Sequence, residues 1–280
     1  MVITVIEARP KTLWSHVAAA WQYRSFYSFL FVEITMKKFK DTMLGFWWLI
    51  LRPLIPAVIT IIVFSSIVPI NTYGLPYPIF FLSGVLTWNL FQSTIIFMPR
   101  TLLWMRGMMR RTYFPKLLVP LASVGPPLLE FLITLALFIL AAAYYKLSVG
   151  TSYLSGDWQM LWFLASAGLA LLFAVALGMV LSVVAVLVRD VVFSVPYFVQ
   201  IVMLLTPIIY PVTLIPEKYH WVIYTFNPMA SLVEVSRWAL TGVGEAPFFW
   251  LGVSAVTICS VTALCTLFFL RAETFLADHL

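Results

Sequence analysis

Residues 160–190 read MLWFLASAGLALLFAVALGMVLSVVAVLVRD, and from Met160 to Val188 there is no Asp, Glu, Lys, Arg or His before the pair Arg189 and Asp190 ends the run. About 20 apolar residues in a helix cross the hydrocarbon core of a bilayer. This run is therefore read as a membrane-spanning helix, and it decides the fold class. The rest of the 280-residue chain agrees: 62% of residues are hydrophobic and only 10% are charged, where a soluble domain carries about 25% charged residues. A soluble globular protein is excluded.

Working outward from 160–188, the stretch from Pro53 to Pro99 also lacks Asp, Glu, Lys and Arg, but it is too long for one span and is punctuated by Pro69, Asn71, Gly74, Pro76 and Pro78. These turn residues divide it into two spans, about 46–68 and 77–98. Further spans are expected at about 117–144, interrupted only by Glu130, at 191–212 and at 248–270. The chain thus reads as an all-α polytopic membrane protein with six transmembrane helices. It divides into a cytoplasmic N-terminal segment, residues 1–45, and a transmembrane domain, residues 46–280.

The charges orient the spans. With six crossings, thirteen Lys and Arg fall on one side: Arg9, Lys11, Arg24, Lys37, Lys38, Lys40, Arg100, Arg106, Arg110, Arg111, Lys116, Arg189 and Arg271. Lys146, Lys218 and Arg237 fall on the other, and Arg52 stands at the mouth of the first helix. The positive-inside rule then makes both termini cytoplasmic. In so apolar a chain the net charge of +6 records topology rather than a nucleic-acid footprint, so no nucleic-acid partner is expected. The first 45 residues carry charges throughout and lack a short apolar core with a small-residue cleavage site, so no cleavable signal peptide is expected.

Three segments are more than simple spans or connections. Leu13, Val17, Ala20, Trp21, Phe26, Phe29, Leu30 and Ile34 recur at nearly helical spacing ahead of Lys37, Lys38 and Lys40, the pattern of an amphipathic helix lying in the cytoplasmic interface. The loop between spans two and three mixes Arg100, Arg106, Arg110 and Arg111 with Leu102, Leu103, Trp104, Met105, Met108 and Met109. Apolar surface of that extent calls for a partner protein or the lipid interface to cover it. Residues 213–247 form the longest external segment, and its apolar content with Pro211, Pro216 and Pro228 fits two short re-entrant helices better than a free loop. Glu234 and Arg237, three residues apart, are placed to pair along the second of them; a local salt bridge is the plainer role for the pair and an external gate the functional one.

Glu130 is the sole acidic residue inside an expected span, which makes it a functional candidate. With no second intramembrane acid or histidine, a proton relay is hard to build, and a path-lining, interface or structural role fits better. Cys259 and Cys265 are six apart on one helix, about 9 Å in rise, and do not bridge. His16, His220 and His279 are scattered, so no metal is expected. The chain has no G-x-x-x-x-G-K-[ST] phosphate loop, so energy from ATP would have to come through another subunit. Its 23 Phe, 12 Tyr and 11 Trp supply interfacial belts and lipid-facing packing, and any that point into a cavity would suit a sugar chain.

Several passages in order carry a resemblance. Lys38-Phe-Lys-Asp-Thr-Met-Leu-Gly-Phe-Trp-Trp-Leu-Ile-Leu-Arg-Pro-Leu54 resembles the start of the first span in type-2 ABC exporter permeases, and Phe114-Pro-Lys-Leu-Leu-Val-Pro-Leu-Ala122 resembles their third-span start. Arg189-Asp-Val, Thr206-Pro-Ile-Ile-Tyr-Pro211, Ile215-Pro-Glu-Lys218 and Phe226-Asn-Pro-Met-Ala230 resemble the closing half of the branch that exports O-antigen, capsule and teichoic acid polysaccharides. Arg52 departs from the uncharged or acidic residue more usual there.

The resemblance implies a homodimer of this chain bound to two copies of a separate cytoplasmic ATPase, which would hold the ATP and Mg, with no cofactor in this chain. It implies a bacterial cytoplasmic membrane, a lipid-linked glycan as cargo, and a coupling helix within Leu102 to Thr112, where Arg106, Arg110 and Arg111 would meet the ATPase or anionic lipid headgroups and Trp104 and Met108 would fill its groove. The competing readings are a type-2 ABC permease for a drug or small lipid, an ATP-independent carrier, for which no internal repeat is found, and a membrane enzyme, for which no acid or histidine cluster is found.

Overall fold

The computed structural model describes residues 22–40, 43–45, 47–67, 70–112, 114–156 and 158–279. The expected apolar positions Leu13, Val17, Ala20 and Trp21 of the N-terminal helix, with Arg9 and Lys11, lie outside them. Among the described residues the structure is helical, with no strand. In chain order the helices are α1 (Arg24–Lys40), α2 (Trp47–Ile62, continued by a π-turn at Val63–Ile67), α3 (Tyr77–Trp104), α4 (Arg106–Arg111), α5 (Leu118–Ala122), α6 (Gly125–Val149), α7 (Met160–Leu187), α8 (Val191–Leu205), α9 (His220–Phe226), α10 (Pro228–Thr241) and α11 (Phe248–His279).

Helix α3 is the axis of the bundle and packs against α6, α7 and α10. Its closest partner is α7, where Ala167, Ala170, Ala174, Gly178, Ser182 and Ala185 form a buried small-residue stripe. Without a hydrophobic force between helices in lipid, close backbone approach supplies the attraction, and small residues permit it. Gly178 shows how tightly: a Cβ there would lie 2.8 Å from Met98 Sδ. Phe91 and Phe173 stack at 5.5 Å, so α3 and α7 run in the same direction, as the second and fourth crossings should.

Five helices are long and apolar enough to span a membrane: Trp47–Ser66, Tyr77–Trp104, Leu118–Val149, Met160–Leu187 and Phe248–Ala272. The fifth expected span, 191–212, is helical only over Val191–Leu205, because Pro207 cannot continue the ladder. Its chain nevertheless extends to the far end of the bundle, where Tyr77 Oη at the start of α3 donates to Ile209 O at 3.0 Å.

Two other boundaries move. The second span continues past Pro99 to Trp104, so Leu102, Leu103 and Trp104 belong to its last turns rather than to a loop. The third is broken at Ser123–Val124 into α5 and α6, with Pro126 and Pro127 in the first turn of α6, where missing N–H groups cost nothing.

Helix α1 buries Leu30 and Ile34 against Phe114, Leu118, Val119 and Ala122, and leaves Phe29, Val32 and Met36 exposed. It docks on the start of the third span, and its outer apolar side suits an interface helix. The close seat is at Gly125, where a Cβ would strike Thr35 Oγ1 and approach the Phe31 ring to 3.1 Å. The expected re-entrant pair is α9 and α10; α10 is buried along nearly its whole length against α3, α7 and α11.

Candidate functional site

Asn89, Gln92, Ser93, Ile96, Phe97, Arg100 and Trp104 follow the spacing of one face of α3. That face lines a cavity of about 430 Å³ running from the middle of α3 to its end, closed by Lys38 of α1, Arg52 and Pro53 of α2, and Glu130 and Thr134 of α6. Four helices thus meet at one polar chamber in an otherwise apolar bundle.

Glu130 is its hub. Lys38 Nζ donates to Glu130 Oε1 at 2.8 Å, Ser93 Oγ donates to Oε2 at 2.7 Å, and Arg52 Nη1 stands 3.8 Å from Oε1. The Lys38 and Glu130 side chains are both about nine-tenths buried, whereas Arg52 is more than half exposed at the mouth. Burial pulls the Lys38 ammonium below the usual lysine range and the Glu130 carboxylate pushes it back up. The ammonium also sits 4.6 Å over the Phe97 ring, a cation–π contact. The carboxylate singled out by its place in a span is therefore a clasp between α1, α2, α3 and α6. Its partners Lys38 and Ser93 are far away in sequence, and the signal for the chamber is the helical spacing i, i+3, i+4 and i+11 of the polar residues Asn89, Gln92, Ser93 and Arg100.

The segment expected to meet an ATPase divides by burial. Leu102 and Met105 lie in the core with Leu30, Phe114 and Leu118. They face inward because the helix of the second span carries them back into the bundle, so they offer a partner nothing. Trp104 is about half exposed and meets Phe97 edge-on at 5.7 Å, lining the mouth of the chamber. Leu103, Arg106 and Met108 are half-buried; Arg110 and Arg111 are exposed, and these last four positions fall on or beside the short helix α4.

Glu234 and Arg237 do not form the expected pair with each other. Glu234 accepts a hydrogen bond from Tyr224 Oη and one from the Val212 N–H. The Arg237 guanidinium donates to Pro207 O at 2.8 Å, Ile208 O at 3.2 Å and Phe80 O at 3.4 Å, and lies 3.9 Å from the Phe80 ring centroid. The reason is geometric: α10 is buried, and the carbonyls freed where Pro207 ends α8 need donors. Gly84 of α3 makes the room, since a Cβ there would come within 2.6 Å of Arg237 Nη2. Around this knot Tyr224 stacks on Trp250 at 5.4 Å, and His220 Nε2 lies 2.8 Å from Ile215 O. The result is a braced cap over the Tyr77 end of the bundle.

No group of His, Cys, Asp or Glu suited to hold a metal occurs among the described residues. Cys259 and Cys265 are both free thiols.

Three relatives share this architecture's sequence. Two O-antigen export system permease proteins RfbA from Klebsiella pneumoniae are 28% and 27% identical over 73% of this chain, each covered over 77% of its own length. A protein of the same name from Myxococcus xanthus is 24% identical over 78% of this chain and 80% of its own length. The family profile described as ABC-2 type transporter matches residues 27–241, a region that includes most of α1, the whole chamber and the Arg237 cap, and the chain accordingly belongs to the ABC-2 type transporter family.

Proposed function

We propose that this chain is the transmembrane permease subunit of an ATP-driven exporter that moves a lipid-linked, O-antigen-like polysaccharide out of the cytoplasm. The observation that carries the reading is the match of the ABC-2 family across residues 27–241 together with three relatives named O-antigen export permeases. The transport step belongs to this chain, and ATP hydrolysis, with its Mg, to a separate ABC subunit.

The architecture supports a working arrangement. Helix α4, with Arg106, Met108, Arg110 and Arg111, follows directly on α3, so a push on α4 is delivered along the axis of the bundle. Helices α2 and α8 leave Trp47, Ile55, Ile59, Phe193, Tyr197 and Phe198 uncovered on the single chain. A second copy of the chain and lipid share those faces, giving two permease and two ATPase subunits around a glycan path. Lys37, Lys38, Lys40, Arg106, Arg110 and Arg111 gather at the α4 end, which the positive-inside rule assigns to the cytoplasm. Both termini are then cytoplasmic, α8 with its extended continuation is the fifth of six crossings, and the membrane is the bacterial inner membrane.

The test is mass spectrometry of what co-purifies with the tagged chain in mild detergent, paired with depletion of the chain in its own cell. A phosphate-loop ATPase at about equal stoichiometry and a lipid-linked glycan stranded on the cytoplasmic face are expected. Reproducible absence of the ATPase overturns the exporter reading; an ATPase without glycan accumulation shifts the cargo to a drug or small lipid.

A further inference from the structure

Among the described residues the chamber is lined by Arg52 and Arg100 beside the Lys38 clasp, and Glu130 is the one lining carboxylate, already shared between Lys38, Ser93 and Arg52. Arg100 is half-buried on the chamber wall, and among the described residues no carboxylate or carbonyl pairs with it. The neutral lining also offers donors. Gln92 has its amide oxygen taken by Trp88 Nε1 at 2.9 Å, so the NH2 group is what it has left to present. Cations that face a common space with too little negative charge between them require an anion, and guanidinium groups match phosphate geometry with paired N–H donors.

We propose that this chamber is a phosphate site, taking a phosphate or diphosphate group between Arg52 and Arg100, with Glu130 as the resident counter-charge that holds the cations in place when the site is empty. A cavity of about 430 Å³ admits a headgroup and excludes a glycan polymer. Its exposed mouth, at Arg52 and Trp104, lies at the α4 end of the bundle. An arriving phosphate takes over Arg52, whose 3.8 Å contact is the weakest the carboxylate makes, and leaves the Lys38 clasp on α1 intact. The site itself stands on the geometry; the exporter reading bears only on which molecule brings the phosphate.

The experiment is calorimetric titration of inorganic pyrophosphate into the full chain, with its ATPase where that co-purifies, in phosphatidylcholine nanodiscs at low salt. Saturable binding is expected, weakened tenfold or more by Arg52→Gln and by Arg100→Gln. Glu130→Gln is expected to tighten it several-fold, since the competing carboxylate is gone, whereas a merely structural Glu130 would give the opposite sign. Where Arg100→Gln does not fold, Asn89→Asp places a second carboxylate on the same wall at nearly equal volume and must weaken binding tenfold.

Absence of saturable binding, indifference to these substitutions, or weaker binding in a folded Glu130→Gln protein overturns the proposal. Tighter binding of farnesyl diphosphate than of pyrophosphate assigns the phosphate to a prenyl carrier; displacement by phosphatidylglycerol assigns it to bulk anionic lipid; neither effect assigns it to free diphosphate. Pyrophosphate binding by a chain that brings down no ATPase would sink the exporter reading and leave the site standing, and the reverse result would do the opposite.

Discussion

Replacing Arg237 by alanine separates a structural brace from a moving gate. The guanidinium donates to the carbonyls of Pro207, Ile208 and Phe80 and covers the Phe80 ring. Hydrogen bonds inside a membrane protein are worth about 0.6–1.7 kcal/mol each and a desolvated cation–π contact about 2 kcal/mol, so roughly 4–7 kcal/mol of attraction is removed. The variant regains the cost of holding a cation out of water, several kcal/mol for a buried ion, but strands the carbonyls and leaves buried Glu234 without a nearby positive charge; the net loss is about 3 kcal/mol, the lower end for breaking a buried charged group's partners. At about 2–4 °C per kcal/mol for a large domain, the melting temperature in detergent should fall by about 6–12 °C. Arg237→Lys keeps the charge but not the fork of donors, and is expected to lose about half as much. A gate residue would behave differently, with export impaired at unchanged stability. An Arg237→Ala protein that melts with wild type would refute the brace.

Other perturbations follow from the same packing. Gly84→Ala drives a Cβ within 2.6 Å of Arg237 Nη2 and should reproduce part of the Arg237→Ala loss, with the two changes combined costing less than their sum; full additivity in thermal unfolding would contradict the contact. Gly178→Ala puts a Cβ 2.8 Å from Met98 Sδ and, by forcing α3 and α7 apart, should destabilise by about 1–3 kcal/mol, the range for overpacking; a neutral result in the same assay would mean that the helices are looser than described. Lys38→Met and Glu130→Gln should show a coupling of about 1–3 kcal/mol in a double-mutant cycle, with α1 more open to proteolysis in Lys38→Met than in the double variant. Arg110→Ala with Arg111→Ala should reduce ATPase co-purification while leaving the melting temperature within about 1 °C, as expected for exposed positions; retained ATPase binding would move the contact off α4.

What the sequence revealed and what it concealed divide along a physical line. Spans follow from runs of apolar residues, which are local, so 160–188 and 248–270 were legible from the chain alone, as was the pair of short helices broken at Pro216 and Pro228. Where a helix stops was less legible. Pro99 lies inside α3, as membrane helices packed among others tolerate, while Pro207 ends α8 and the carbonyls of Pro207 and Ile208 accept from Arg237. Leu102 and Met105, expected in the coupling segment, lie in the core because the helix continues past Pro99.

The partners of single charges were hidden altogether, since Lys38 and Glu130 meet across a gap that no local pattern encodes. The two charged knots are held differently: Glu130, in the second turn of α6, is met by side chains from α1, α2 and α3, whereas Arg237 faces the end of α8 and donates to backbone carbonyls. The chamber at the α4 end has an open mouth, and its Arg100 has no carboxylate partner among the described residues, whereas the guanidinium of the cap at the Tyr77 end is bound to three backbone carbonyls. The asymmetry argues that the junction at the α4 end is the one built to respond to a ligand, and the opposite junction the one built to hold.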